Sequence, residues 1–375
     1  MKVLFCVNLP SPYRVDFFNE YGKLCDLEVC YERSKSSERD SKWKATKPRF
    51  FTEKQLELRP IGVDKSIGTA LRKHISRSNA DFIIFSNYIS PACVEAILYC
   101  SIKNIPYCLE YDGGAYKSDN FIKRIIKKVL LGNAIAHFTT GKKHKRYLKE
   151  LGIAENSIYI YPFSSITEND IHNAKELSNY KNKQKAKESL GISEEKVIIT
   201  VGRFTYLNGY GKGYDTLLKT AEIMKQNIGF YIIGGKPTEE FILWKEEKKL
   251  NNVHYIDFKE KDELREYYLA ADLFVFMTRG DVWGLVINEA MMYGLPVIST
   301  EACGAALELI KEGKNGFIIP VNQPHELKDK INFLLSSDEV YDMFRRNSFK
   351  YIQEYSIEKM AEVHFSVLEG IKHSK

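Results

Sequence analysis

The stretch ADLFVFMTRGDVWGLVINEAMMYGLPVI, residues 271–298, decides how the chain is read. Its apolar run from Leu273 to Met277 reads as a buried strand ending near Thr278, and a loop follows. A helix then opens at Gly284 or Leu285 and closes at Gly294, a natural glycine just past a helix end. Two carboxylates flank that helix start, Asp281 in the loop before the first turn and Glu289 one turn on from Leu285. The amides of Gly284, Leu285 and Val286 carry the positive end of the helix dipole and suit a diphosphate. A carboxylate within such a helix can accept hydrogen bonds from vicinal ribose hydroxyls, and one ahead of it from a sugar ring. Solvated surface charge is the plainer alternative for both.

Outward from this stretch, short β-branched or aromatic runs alternate with helical patterns. The second half reads as strands at 196–201, 229–233, 253–258, 273–277, 296–300 and 316–320, with helices at 214–225, 261–270 and 285–293. The first half reads as strands at 3–7, 27–31, 81–86 and 106–110, with helices at 13–23, 91–102 and 121–131. This alternation predicts an α/β fold built on parallel sheets. Two Rossmann-like domains would face a central cleft, where the carboxyl ends of the strands gather. Residues 164–195, rich in Asn, Lys, Ser and Glu, read as a linker with a peripheral helix, and the boundary falls within 163–170.

The 375 residues, 44% apolar and 13% aromatic, suit two folded domains and exclude a small binding module or a disordered chain. No apolar run approaches the roughly 20 residues of a membrane span. The start MKVLFCVN reads as a first strand and not as a signal peptide, which implies a cytoplasmic location. Seven scattered cysteines without a C-x-x-C pair argue against a disulfide framework or a zinc site. The first strand-to-helix junction, VNLPSPY, lacks G-x-G-x-x-G, and no G-x-x-x-x-G-K-[ST] occurs, so nicotinamide chemistry and P-loop hydrolysis are not signalled.

Charge is unevenly spread, with 27 Lys+Arg against 17 Asp+Glu in residues 1–165 and 28 against 32 in residues 166–375. A basic first half points to an anionic partner. From Phe121 to Leu130 the sequence FIKRIIKKVL sets cations at 123, 124, 127 and 128 among apolar residues, an amphipathic helix suited to an anionic membrane surface, with an ordinary surface helix as the alternative. Lys142, Lys143, Lys145 and Arg146 form a second basic cluster. No nucleic-acid-binding motif accompanies this charge.

Asp281 and Glu289, with Trp283-Gly284-Leu285-Val286 and Gly294-Leu295-Pro296, resemble the E-x7-E signature of retaining GT-B glycosyltransferases, family 4 (group 1) of bacterial polysaccharide assembly. Val201-Gly202-Arg203 with Lys212-Gly213-Tyr214-Asp215, the turn Ile232-Ile233-Gly234-Gly235, and the elements around Gly304–Ile310 and Gly313–Phe317 resemble that family's other segments in order and spacing. The resemblance covers residues 195–320. It implies that Arg203 and Lys212 hold the donor diphosphate, that Glu289 binds the ribose and Asp281 the transferred sugar, and that Gly202, Gly234, Gly235, Trp283, Gly284, Leu285 and Val286 line the donor site. Such cations would stabilise the leaving nucleoside diphosphate. Three departures stand out: Asp281 replaces the usual Glu, Met277-Thr278 the usual Pro-Ser, and the run from Arg203 to Lys212 is several residues longer than in most relatives.

In the first half the resemblance implies an acceptor site at Pro12, Tyr13, Arg14, Asp112 and Gly113. Glu110 and Asp112 occupy the place of the family's His-Asp pair and become candidates for action at the reacting carbon. Phe138–Gly141 and Tyr161–Ser165 are further loop candidates. The final helix, read over 351–371, resembles one that crosses back onto the first domain, which gives domains of 1–165 with 355–375 and of 166–354. No D-x-D is present, so no metal requirement is signalled, and the nucleotide-sugar is a substrate with no cofactor implied. The expected function is retaining transfer of a hexose-type sugar, with a UDP-sugar as donor and a saccharide or polyprenyl-diphosphate-linked saccharide as acceptor, in cell-surface polysaccharide biosynthesis. A GT-B epimerase or hydrolase, or a non-catalytic saccharide-binding scaffold, is the alternative.

Overall fold

A computed structural model describes residues 1–34, 47–62, 65–112, 120–204, 206–224 and 227–374, with only the backbone at Phe121 and Ile122. The chain divides into two compact units, Met1–Ser165 with Tyr355–Lys375, and Ile166–Glu354.

The first unit contains β1 (Lys2–Val7), β2 (Asp26–Tyr31), β3 (Thr52–Gln55), the antiparallel pair β4 (Arg59–Gly62) and β5 (Lys65–Ile67), β6 (Phe82–Phe85), β7 (Tyr107–Tyr111), β8 (Ala136–Thr139) and β9 (Ile158–Ile160). All but the β4–β5 pair form one parallel sheet in the order β3-β2-β1-β6-β7-β8-β9. Val3, Leu4, Phe5 and Cys6 on central β1 are fully buried. Their unbroken apolar run follows from a strand covered by helices on both faces, where no position can be polar. Helix Pro12–Tyr21 opens on Pro12, whose missing N–H is no loss in a first turn. It packs against the last helix, Ile357–His373, which thereby belongs to this unit.

That last helix differs from the expected continuous helix over 351–371. One helix ends at Ile352 and another starts at Ile357. The break is chemical: the buried Ser356 turns extended and its hydroxyl accepts the Lys359 amide at 3.1 Å, capping a new helix instead of continuing the old one.

The second unit holds β10 (Lys196–Val201), β11 (Ile228–Ile233), β12 (Val253–Ile256), β13 (Leu273–Phe276), β14 (Val297–Thr300) and β15 (Gly316–Ile319). They form a parallel sheet in the order β12-β11-β10-β13-β14-β15. Winding runs outward from β10 through β11 and β12, then resumes on the other side of β10 with β13. Connections after β10 and β13 therefore leave on opposite faces, and a crevice opens at their carboxyl ends, the usual ligand position in such sheets. Ile198, Phe230, Ile232, Leu273, Val275 and Ile298 supply the core beneath it. Residues 164–195 hold two helices where one was expected, Glu168–Leu177, started by a Thr167–Asp170 capping box, and Tyr180–Leu190, capped by Asn179.

Ser356→Ala is expected to lower unfolding free energy by about 1 kcal/mol, the usual cost of a lost N-cap hydroxyl. Urea denaturation of both proteins measures it.

Candidate functional site

The second unit gathers the sequence-predicted donor residues at the carboxyl ends of β10, β11 and β13. Gly202 ends β10, and Gly234, at the end of β11, backs directly onto its carbonyl. Gly235 follows, and Arg203 is exposed in the loop beyond. The aliphatic stem of Lys212 passes beside Gly202, and the Tyr214 hydroxyl lies 2.9 Å from where a Cβ of Gly202 would stand. At the end of the stem, Lys212 Nζ meets Asp281 Oδ2 at 2.5 Å, with Nζ also 5.0 Å from the centre of the Phe276 ring. Both partners are largely shielded, at 16% and 21% side-chain exposure, so the pair keeps more of its Coulomb attraction than a surface pair does.

Two glycines are required to bring these loops together. Gly213 adopts φ +72, and a Cβ there would stand 2.0 Å from the Met277 carbonyl oxygen. Only glycine lets the start of helix Tyr214–Ile223 lie against the end of β13. Gly284 adopts φ +98 directly before helix Leu285–Met292, with the Cys303 sulfur 2.6 Å from where a Cβ would sit. Burial, with Asp281 adding to it, pushes the Cys303 thiol up to about 12. It stays a neutral packing group whose Sγ–H donates to the Trp283 carbonyl at 2.9 Å.

The Asp281 loop is held from several sides. Its amide donates to the Ala302 carbonyl at 3.1 Å, and Oδ1 accepts the Trp283 amide at 3.3 Å. Trp283 is buried, and its indole N–H donates to Asn288 Oδ1 at 3.0 Å, which fastens the loop to the helix it precedes. Among the described residues, the amides of Gly284, Leu285 and Val286 face no acceptor, the ordinary state of a helix first turn and the one an anion completes. Glu289 is half-buried on that helix, and its Oε2 accepts from the buried Tyr268 hydroxyl at 3.0 Å. The Tyr268 ring stacks on Tyr293 at 5.3 Å. Sequence reasoning missed Tyr268 as a partner of Glu289. It likewise missed Arg279, although that cation stands two residues before Asp281; only the fold brings its acceptors within reach.

The first unit departs from expectation. Glu110, at the end of β7, is fully buried, and Arg14 forks onto it, Nη1 to Oε1 at 3.0 Å and Nη2 to Oε2 at 2.5 Å. The guanidinium lies 5.1–5.2 Å from the rings of Phe5, Phe17 and Phe18. His364 of the last helix adds Nε2 to Glu110 Oε1 at 3.1 Å while its Nδ1 meets the Met360 carbonyl at 2.8 Å. The ring thus bridges the Glu110 carboxylate and the Met360 carbonyl. Burial alone would raise the Glu110 carboxyl, but Arg14 and then His364 outweigh it and hold the group down at about 2. Glu110 and Arg14 are therefore buried counter-ions that join the last helix to the sheet. Asp112 is the more exposed carboxylate of the pair, its Oδ1 4.0 Å from Arg14. Pro12 and Tyr13 begin the helix after β1, with the Tyr13 ring 5.8 Å from Phe163. Gly113 lies outside the described residues.

Residues 182–351 match the family described as glycosyl transferases group 1. The matched glycosyl transferase group 1 domain spans less than half of the chain. Every donor-site residue above, from Gly202 to Glu289, lies inside it. A protein of the cps region of Klebsiella pneumoniae is 26% identical over 268 residues, 67% of this chain and 69% of that protein. Lipopolysaccharide glucosyltransferase WaaG of Escherichia coli is 25% identical over 215 residues, 56% of this chain and 54% of WaaG. The aligned part of this chain spans about half the length of most curated relatives it matches. In structure, HepE of Anabaena in complex with UDP matches with a TM-score of 0.78 over 99% of this chain and all of HepE, at 16% identity. The architecture is the α/β two-domain GT-B fold.

Glu110→Gln leaves Arg14 buried without its counter-charge and is expected to cost about 3–5 kcal/mol of stability. Because the Glu110 carboxyl is depressed below its ordinary 4.5, its contribution is present above that value and disappears as pH falls toward about 2. Acid denaturation followed by circular dichroism checks both: the variant should lack the part of the transition in that window.

Proposed function

We propose that the protein transfers a hexose-type sugar, with retention of configuration, from a nucleoside diphosphate sugar to a saccharide acceptor. The Lys212–Asp281 pair beside the open first turn of helix Leu285–Met292 carries the reading. It sets a cation and a row of amides where a diphosphate is bound by helix termini, with a carboxylate adjacent for sugar hydroxyls. Arg203 and Lys212 hold the diphosphate and stabilise the charge that develops on it as the glycosidic bond breaks. Asp281 accepts hydrogen bonds from the sugar, and Glu289, steadied by Tyr268, accepts them from the ribose. In a retaining transfer the acceptor hydroxyl attacks from the face that the diphosphate leaves, and its proton passes to the departing phosphate oxygen. Asp112, half-buried beside Arg14, is the residue of the first unit that this reading assigns to orienting an incoming acceptor. UDP is the favoured base carrier, supported by the UDP complex of HepE. Assembly of a surface polysaccharide at the cytoplasmic side of a membrane is the favoured setting, supported by the likeness to WaaG and to the cps-region protein.

The expected outcome with purified protein is a thermal shift on adding UDP, since a ligand bound only by the folded state adds about 2.7 kcal/mol at a hundredfold excess over Kd. Glu289→Ala should abolish the shift, and Asp281→Ala should abolish transfer from a UDP-sugar to an acceptor oligosaccharide. Absence of a shift with any nucleoside diphosphate would remove the reading; consumption of the donor with no glycosylated acceptor would replace transfer by hydrolysis or epimerisation.

The same reading includes contact with an anionic membrane. Ile125, Ile126 and Val129 on helix Phe121–Leu131 are 48%, 59% and 64% exposed, interleaved with exposed Lys123, Arg124 and Lys128. Apolar side chains left outside between cations suit a headgroup boundary. No helix of the described residues is long and apolar enough to cross a membrane. Co-sedimentation with vesicles containing phosphatidylglycerol, and none with pure phosphatidylcholine, is expected. Replacing Ile125, Ile126 and Val129 by Ser should weaken it at least tenfold, as burial of three aliphatic side chains implies.

A further inference from the structure

Arg279 leaves β13 two residues before Asp281, and its guanidinium forks onto Asp215, with Nη1–Oδ1 and Nη2–Oδ2 both at 2.7 Å. Nη1 also donates to the Tyr210 carbonyl, and Nη2 to the Asn322 side chain in the loop after β15. The Arg279 amide donates to the Gly211 carbonyl at 2.9 Å, and the Thr278 hydroxyl to the same oxygen at 3.1 Å. Tyr210 and Gly211 immediately precede Lys212, and Asp215 follows it by three residues. One side chain and its own peptide thus grip the chain on both sides of Lys212, from the loop that presents Asp281.

The grip matters because this loop takes an unfavourable backbone path. Leu207, Asn208 and Gly209 have φ of +47, +51 and +89, and a left-handed Leu is disfavoured unless its surroundings impose it. The Lys212–Asp281 pair cannot supply the restraint during use, since an incoming diphosphate competes for Lys212 and a sugar for Asp281. Asp215, which is buried, belongs to neither task and stays paired with Arg279 throughout. The planar fork matters too: a lysine would carry the charge but reach only one of these acceptors at a time.

We infer that Arg279 is a positioning residue that, through Asp215 and the Tyr210 carbonyl, fixes Lys212 opposite Asp281 and so sets the affinity for the distal phosphate of a nucleoside diphosphate. This rests on the transfer reading above. Calorimetric titration of UDP and UMP into wild type, Lys212→Ala, Arg279→Lys and Asp215→Asn tests it, with melting curves for each. Arg279→Lys keeps size and charge where Arg279→Ala risks the fold. Arg279→Lys and Asp215→Asn should each raise the Kd for UDP about tenfold while the Kd for UMP stays within about twofold, matching the split in Lys212→Ala. A split in Lys212→Ala but none in Arg279→Lys, or equal weakening of UDP and UMP in Arg279→Lys, overturns the inference alone. A wild type that binds neither nucleotide overturns the transfer reading and this inference together.

Discussion

The site in the second unit depends on one topological constraint: β10 and β13 lie side by side, yet their connections depart to opposite faces. The loops that leave the carboxyl ends of two such strands must be braced against each other if they are to present side chains at fixed separation. Backbone approach supplies part of the bracing, with Gly213 against Met277 and Gly284 against Cys303. Charge supplies the rest, with Arg279 on Asp215 and Lys212 on Asp281. Were the strands arranged without the reversal, one helix would cap both ends, and no such pairing would be needed or possible.

Two of the ion systems among the described residues use the same interactions for opposite ends. In the first unit, Arg14, Glu110 and His364 are closed in by Phe5, Phe17, Phe18 and Phe138 and reach their partners without solvent. Desolvating ionisable groups is costly, and the arrangement holds because Arg14 and His364 both meet the Glu110 carboxylate within the cage. Lys212 and Asp281 stop short of that, one single contact in partial exposure. In the proposed reading such a pair is exchangeable, its members giving up one another for a phosphate and a hydroxyl. Closure marks a joint, and incomplete closure marks a place where a ligand can enter.

Much of this was legible in the sequence because it rests on local chemistry. Strand runs such as 196–201 and the helix at 91–102 announce themselves through periodicity, and the Asp281–Glu289 spacing through a helix start with a carboxylate on either side. Other elements were invisible for physical reasons. β3 is four residues of mostly polar, exposed sequence, and β9 is three residues long, so neither shows a pattern until the sheet edge supplies its partner. The break at Ser356 looks like a tolerable serine within a helical run, and only its hydroxyl's turn toward Lys359 reveals a cap. Glu110 followed the same logic at longer range. A carboxylate at the end of a strand beside a glycine turn suggests a reacting group, and what the sequence hides is its pairing with Arg14, 96 positions earlier, and His364, 254 positions later.

The same distance in sequence explains why Arg279 was passed over beside a residue that was singled out. Asp281 belongs to a spacing that can be read within one loop and one helix. Arg279 acquires a task only when β10 is set against β13, bringing Asp215 and the Tyr210 carbonyl, 64 and 69 positions upstream, to the two ends of one guanidinium. Residues that meet a ligand tend to sit in short motifs because a ligand is small and one loop can surround it. Residues that hold those motifs in place answer to the sheet, and their partners lie wherever the strand order puts them. The longer path from Arg203 to Lys212 fits this division: extra chain between two cations of the proposed donor site is tolerable only where something outside the motif fixes its far end, and that end is gripped from the loop after β13.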